Sequence, residues 1–455
     1  MYGERKMGPT TISTLTFGLV ATFLLCITPV VFAAAQVQSP AEIVYEYVKA
    51  HANETFRPPK GILKFPYLVP SGPYNQLWDW DSMFTGVALF EFGSAPYLSG
   101  SMENFLYHTN TQSGEVQGCL LPSGATGTIF HAKPVIIQGA WLAAQEVDRQ
   151  NNNRQKVLYF KRYAKQMAAL LRYWTSTVRT DEKTQLPKWY NQLESGQDNL
   201  PLSTCASSRS PCWNPVFHEL RLVSADLATF LYREFVAYGL FNKRWAEETE
   251  EDRGKYQKEY VRAKQMAEKI KVAVNQWLFD DSLGYYIAFN RTERVTNRVD
   301  VMGFPLWANI SSGIQAHKLS VEILKSDMLS PFGIRSTSAL DPRYNNINEI
   351  KPYSNWEGPV WVNANAVLAY GLSKYGYRKD AIDIAKRVVQ TLANDAENQG
   401  TWHEGYDSEN GKGLAANGFL SWNTLAATLE KNLIKGHDPF QLQDHSNQEN
   451  VDHIF

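Results

Sequence analysis

The sequence predicts an all-α fold whose helices close into an α/α toroid. Three observations point there. Apolar residues recur at helical spacing in roughly ten to twelve segments along one continuous run. No Gly/Ser-rich or Pro-rich linker divides that run, and no fixed-period repeat suggests a solenoid. The stretch "PVWVNANAVLAYGL" (Pro359–Leu372) is apolar on most faces, as an inner helix surrounded by others should be.

The first helix opens at "SPAE", Ser39–Glu42. Ser39 is the N-cap, Pro40 holds the first helical position and Glu42 the third, and Ile43, Val44, Tyr47 and Val48 form one apolar face. Further helices are expected at Ser82–Phe92, Ser101–Thr109, Lys133–Arg149, Gln155–Val178, Pro215–Asn242 and Arg244–Phe279. The same spacing predicts Ala316–Lys325, Pro359–Tyr375, Lys379–Asn394 and Phe419–Ile434. Only "GYYIAFN" (Gly284–Asn290) reads as a strand.

Residues 1–35 are expected to be a leader. Arg5 and Lys6 precede an apolar run from Leu15 to Phe32, and "AAAQ" suits cleavage after Ala35; an uncleaved anchor is the alternative. Either reading sends the body of the protein into the secretory pathway, as a secreted or vacuolar protein. Sequons at Asn53, Asn290 and Asn309 agree with that route. Cys205 and Cys212 lie close enough in sequence to pair in an oxidising compartment, which leaves Cys119 as a buried free thiol. Residues 36–440 form the helical domain, and the polar residues 441–455 are expected to be a disordered tail.

A formal net charge of −1 gives no electrostatic reason to bind nucleic acid or a membrane surface. There is no GxGxxG before a helix, no GxxxxGK[ST], no GxSxG, no HExxH and no CxxC, so nothing implies a cofactor or a metal. The loops carry the chemistry. "YNQLWDWDSMF", "YSNWEGPVW" and "TWHEGYDSENGKG" mix Trp or Tyr with acids and amides, and "LESGQDNLP" follows directly on "KWY". Ring faces stack on the C–H faces of a pyranose while acids and amides bind its hydroxyls. The partner implied is therefore a small carbohydrate. Glycoside hydrolysis needs two carboxyl groups, and Asp198 and Glu404 come from separate loops. Each has a structural reading too: Asp198 as a loop cap, Glu404 as a partner of His403.

"LWDWDSMF", "ESGQDN", "GPVWVNAN" and "HEGYDSENGKGL" together resemble glycoside hydrolase family 63, whose members include mannosylglycerate and glucosylglycerate hydrolases. The resemblance runs from about Tyr67 to Ile434 and implies a single (α/α)6 barrel and an inverting mechanism without a cofactor. It makes Asp198 the general acid and Glu404 the general base, with carboxyls ~6.5–9.5 Å apart to admit a water. Trp78, Trp80 and Asp81 would line the sugar subsite, with Trp356 and Trp361 on its other side. Glu194 would orient the acid loop. Tyr74, Gln138 and Arg221 match residues around a glycerate subsite, where a carboxylate needs a cation and donors. Asn355 and Glu357 depart from the pattern, and an acid at 357 would weaken glycerate binding if it faced the subsite. The expected activity is hydrolysis of 2-O-α-mannosylglycerate or glucosylglycerate. The alternatives are an α-glucosidase for disaccharides or glycan termini, and an inactive carbohydrate-binding protein on the same barrel.

Overall fold

Ser39 starts the first helix with the capping box its sequence predicts: its hydroxyl accepts from the Glu42 amide and the Glu42 carboxylate accepts from the Ser39 amide. The computed structural model of the chain describes residues 38–125, 127, 130–190, 192–202, 221–348 and 354–444. From Ser39 onward the chain folds as one unit. The expected leader, the expected pairing of Cys205 with Cys212 and residues 445–455 lie outside the described residues.

Among the described residues there are fourteen α-helical segments. They are α1 (Pro40–His51), α2 (Asp79–Ala88), α3 (Ala95–His108), α4 (Ile136–Gln150), α5 (Gln155–Tyr159), α6 (Ala164–Trp174) and α7 (Gln192–Ser195). Then follow α8 (Ala225–Glu248), α9 (Arg253–Ala273), α10 (Phe304–Trp307), α11 (Gly313–Ile323), α12 (Val362–Lys374), α13 (Arg378–Gln399) and α14 (Ala426–Lys435). The packing has an order. α2 lies on α4, α4 on α8, α8 on α10, α10 on α12, α12 on α14, and α14 returns to α2. Outside these, α3 covers α2 and α4, α9 covers α8, and α13 and α1 cover α12 and α14 between them.

Composition separates the two sets. Every residue of α2 and every residue from Val362 to Leu372 of α12 is buried, whereas α9 buries only Tyr256, Ala263, Ala267 and Ile270. A helix enclosed on all sides is mostly apolar and must hydrogen-bond the polar side chains it buries, as Asp81 does with Ser421 and Asn365 with Ile334. A covering helix needs only an apolar stripe. The buried free thiol expected at Cys119 is present. Of the sequon asparagines, Asn53 and Asn309 are exposed and Asn290 is buried.

Several expectations change. Gln155–Val178 is broken into α5 and α6, and Arg244–Phe279 is divided between α8 and α9. The helix read from Pro215 begins at Ala225, because Leu222–Val223 is a strand paired with Phe289–Asn290 of the predicted "GYYIAFN" strand. The hairpin His403–Tyr406/Gly413–Asn417 was not expected, since strands this short leave no readable alternation. Gln441–Asp444, assigned from sequence to a disordered tail, are tied down: Trp141 donates to the Gln443 carbonyl and Arg244 pairs with Asp444 at 3.0 Å. Just before them, Phe440 is fully buried against Phe84, Trp307 and Tyr370, and its carbonyl accepts from Arg233.

Candidate active site

Loops between the inner helices bring Tyr74, Asp81, Asp198 and Glu404 close enough to act on one another. The first side comes from the segment around α7. Glu194 is buried in an ion pair with Arg179, which also lies over the rings of Tyr173, Trp174 and Tyr190, and Glu194 accepts the Tyr190 amide at 3.0 Å. This pair fixes the start of the loop. The chain then turns at Gly196 with φ +78°, where an added Cβ would sit 2.6 Å from the Trp80 ring. Only glycine fits that turn. It delivers Asp198, half-buried, whose Oδ2 accepts from the amide and hydroxyl of Ser354 at 3.0 and 2.9 Å. Burial pushes its carboxyl up to about 6, against the Ser354 hydrogen bonds and the charge of Lys133, which pull it down.

The second side is the 403–417 hairpin. Its register shifts between His403 and Gly405, so Glu404 sits at a bulge, a device that re-aims a side chain. His403 turns to Asp395, with Nδ1 2.9 Å from the carboxylate, and Glu404 faces the cleft alternative to it. There Glu404 Oε2 accepts the Tyr74 hydroxyl at 3.1 Å. Burial pushes Glu404 up to about 8; the Tyr74 hydrogen bond opposes this, and the charges of Asp81 and Asp198 add to it.

Asp81 is the third acid, in the first turn of α2. It is buried, accepts the Ser421 hydroxyl at 2.8 Å, and is pushed by burial up to about 7. Beneath the acids lies a block of four indoles. Trp356 stacks on Trp361 with centroids 4.0 Å apart, and Trp80 and Trp422 close the block at 5.7–6.2 Å. Such ring pairs add roughly 0.5–1.5 kcal/mol each beyond area burial. The block therefore works as a stiff floor. The Trp422 indole also donates to the Glu404 carbonyl and that of Trp356 to the Ser354 hydroxyl, so both acid-bearing segments rest on it.

The structure thus brings Tyr74, Trp80, Asp81, Asp198 and Glu404 together, with Trp78 just before α2 in sequence. Trp356 and Trp361, expected to face a sugar, are 0% and 2% exposed. They pack against each other, Trp80 and Trp422, and residue type alone could not distinguish a sugar platform from a packed support. Gln138 requires a correction. It is fully buried, its amide donates to the carbonyls of Pro134 and Phe230, and its oxygen accepts from Arg233 at 2.7 Å, so no surface of it is open to glycerate. Arg221 is exposed beside the Leu222–Val223 strand, its carbonyl accepting the Arg291 amide. Glu357 is buried and holds Asn345 at 3.0 Å. Sequence reasoning missed Ser354, Ser421, Trp422 and the buried Lys133. Ser354 lay within a loop already singled out; Lys133, in "HAKPV", has no local signal.

A closed order of inner helices with loop-borne acids beside a cluster of indoles is an arrangement that a glycoside hydrolase can use. The model of the Mannosylglycerate hydrolase MGH1-like glycoside hydrolase domain matches residues 74–422, and the chain belongs to that family, within glycoside hydrolase family 63. Similar solved structures include a family 63 mannosylglycerate hydrolase from Thermus thermophilus in complex with Tris and D-glycerate, with TM-score 0.60 and 17% identity. The match covers 86% of this chain and 100% of that one. Neutral trehalase from Saccharomyces cerevisiae gives TM-score 0.61 at 18% identity, covering 89% of this chain and 84% of that one. At these identities the likeness is one of fold. Among curated proteins, the cytosolic neutral trehalase of Kluyveromyces lactis is 22% identical over 372 residues, 71% of this chain and 48% of its own length. The chain spans about half the length of the first curated relatives it matches.

Proposed function

We propose that the protein is an inverting hydrolase of small α-glycosides, built as an (α/α)6 barrel, with Asp198 as general acid and Glu404 as general base. What supports this reading is that Asp198 and Glu404 come from two separate segments, lie close enough for the charge of one to act on the other, and are each pushed up by burial. The closed order of helix packing, α2 through α14 and back, supports the barrel.

In this mechanism one carboxyl protonates the leaving oxygen while the other takes a proton from the attacking water. The free enzyme holds its protons in a telling order: Glu404, the base, is raised further than Asp198, the acid. A pair that shares one proton titrates as a unit, so a bell-shaped profile reports the pair and not the site that carries the proton. The productive form, with Asp198 protonated and Glu404 ionised, is a minor microstate of the empty cleft. The Tyr74 hydroxyl, which donates to the Glu404 anion, favours it.

Tyr74 and Trp78 are the rings only partly covered by protein, and the Trp78 indole N–H is buried with no acceptor among the described residues. An orphan donor of this kind costs about 1–3 kcal/mol, and a sugar hydroxyl satisfies it. Asp81 is placed to bind a hydroxyl or the water; Trp80, Trp356 and Trp361 stiffen the subsite.

For the aglycone, 2-O-α-mannosylglycerate and glucosylglycerate come first, on the strength of the family, with Arg221 as the cation for the carboxylate. A neutral disaccharide such as trehalose is the second reading. It is favoured by the burial of Gln138 and by the similarity to trehalases. The secretory route remains part of the proposal; among the described residues no helix is long and apolar enough to cross a membrane. The test is to offer mannosylglycerate, glucosylglycerate, trehalose and α-linked glucose disaccharides to the protein and to Asp198→Asn, following anomers by proton NMR. Release of the β-anomer first, abolished in Asp198→Asn, is the expected result. Full rate in Asp198→Asn would overturn the assignment.

A further inference from the structure

One charged group in the cleft is not used by the acid–base pair. Lys133 lies in the loop before α4, its side chain only 8% exposed, with Nζ 3.1 Å from Asp79 Oδ1 and 4.9 Å from the centre of the Trp80 ring. On its other side is the Gly196 turn, where an added Cβ would stand 3.0 Å from Lys133 Cε. A buried ammonium is expensive unless it does electrostatic work on its neighbours.

Asp79 alone does not account for that work. Its Oδ1 already accepts the Trp80 amide at 2.6 Å, and its Oδ2 accepts the Lys133 backbone amide at 2.7 Å. Two amides therefore hold this carboxylate without the ammonium. The other titratable groups facing Lys133 are Asp81 from α2, Asp198 from the loop after α7, and Cys119 from the strand beside Trp78. Cys119 is pushed up to about 12 by burial and stays a neutral thiol. Glu404, across the cleft, is coupled to Asp81 and Asp198.

We propose that Lys133 is a positioning residue of the active site: a fixed cation behind Trp80 that supplies the counter-charge for Asp81 and Asp198 and so sets the charge state of the acid loop. The inference rests on the reading of Asp198 and Glu404 as the acid–base pair. The Lys133 charge opposes the effect of burial on both Asp81 and Asp198, so removing it makes each carboxyl hold its proton to higher pH. Protonation of both members of the pair stops the reaction, and the acidic limb of the profile moves upward.

The experiment is the pH dependence of kcat/KM for the wild type, Lys133→Met, Lys133→Arg and the double variant Asp79→Asn/Lys133→Met, with Asp198→Asn as control. Lys133→Met is expected to raise the acidic limb by about one pH unit, while Lys133→Arg keeps it near the wild-type position. The double variant leaves no orphaned charge on Asp79 and keeps the test valid if Lys133→Met does not fold; it is expected to shift in the same way. An unshifted limb in the folded neutral variants overturns the proposal, as does an equal shift in Lys133→Arg, which would make the effect one of packing. Full activity in Asp198→Asn would instead overturn the underlying acid–base reading. An inactive Asp198→Asn with an unmoved limb in Lys133→Met defeats the Lys133 proposal alone.

Discussion

The loop that carries Asp198 and the hairpin that carries Glu404 present the same functional group to the same cleft in opposite ways. Asp198 keeps a half-exposed side chain and two donors from Ser354, and it follows a turn pinned by the Arg179–Glu194 pair. Glu404 is almost enclosed, with the Tyr74 hydroxyl donating to its carboxylate and two other acids acting on it. Burial raises both, but the number of donors and the sign of the neighbouring charges separate them by about two units, at about 6 and about 8. In the empty site that difference leaves the proton on Glu404, and each surrounding group that sets it can be removed singly.

The largest effect is expected from the acids themselves. Asp198→Asn and Glu404→Gln should each lower kcat by about 10²–10⁴-fold or more on a glycoside with a poor leaving group. A comparable loss in only one of them would break the symmetry of the pair. Next is the support of the loop. Arg179→Met strands the buried Glu194 charge and should cost about 3–5 kcal/mol of stability in denaturant unfolding, whereas the hairpin's own pair, Arg335–Glu409, has an exposed carboxylate and should cost less to break.

Smaller effects separate the two sides by pH. The wild-type profile is expected to be a bell with limbs near 6 and 8. Tyr74→Phe removes a donor to the Glu404 anion, so the upper limb should move up and kcat/KM at neutral pH fall by about tenfold. Ser354→Ala removes one of two donors to Asp198 and should raise the lower limb instead. A Tyr74→Phe profile that moved at its lower limb would reverse the assignment of limbs. The smallest effect concerns stability. Asp81, Asp198, Glu234 and Glu404 all have folded-state values raised by burial, so between pH 5 and 8 the folded state binds more protons than the unfolded chain. The stability present at low pH is lost as pH rises through the folded values. The melting temperature should therefore fall from pH 5 to pH 8, and less so in Glu404→Gln.

The legible parts of this molecule are those whose signal is local. Helices of ten or more residues show their spacing, and the capping box at Ser39 spells out its own start. The hairpin around Glu404 does not, because four or five residues carry no periodicity to read. The site divides in the same way. Asp198, Glu404 and the "WDWD" stretch stand in motifs that a family resemblance picks out. The importance of Lys133 arises only when it meets Asp79, 54 residues away in the chain. The fate of Gln138 depends on Arg233, 95 residues on, and whether Trp356 faces a ligand or a neighbouring indole is decided by Trp361 packing flat against it. Long-range partnership is what the sequence hides.

The division of roles between the two acids is tested most directly with an α-glycosyl fluoride, whose leaving group needs no proton. With that substrate Asp198→Asn should regain a large part of the wild-type rate, because only the acid step has been removed, while Glu404→Gln should remain inactive for want of a base. Recovery in Glu404→Gln with none in Asp198→Asn would contradict the account.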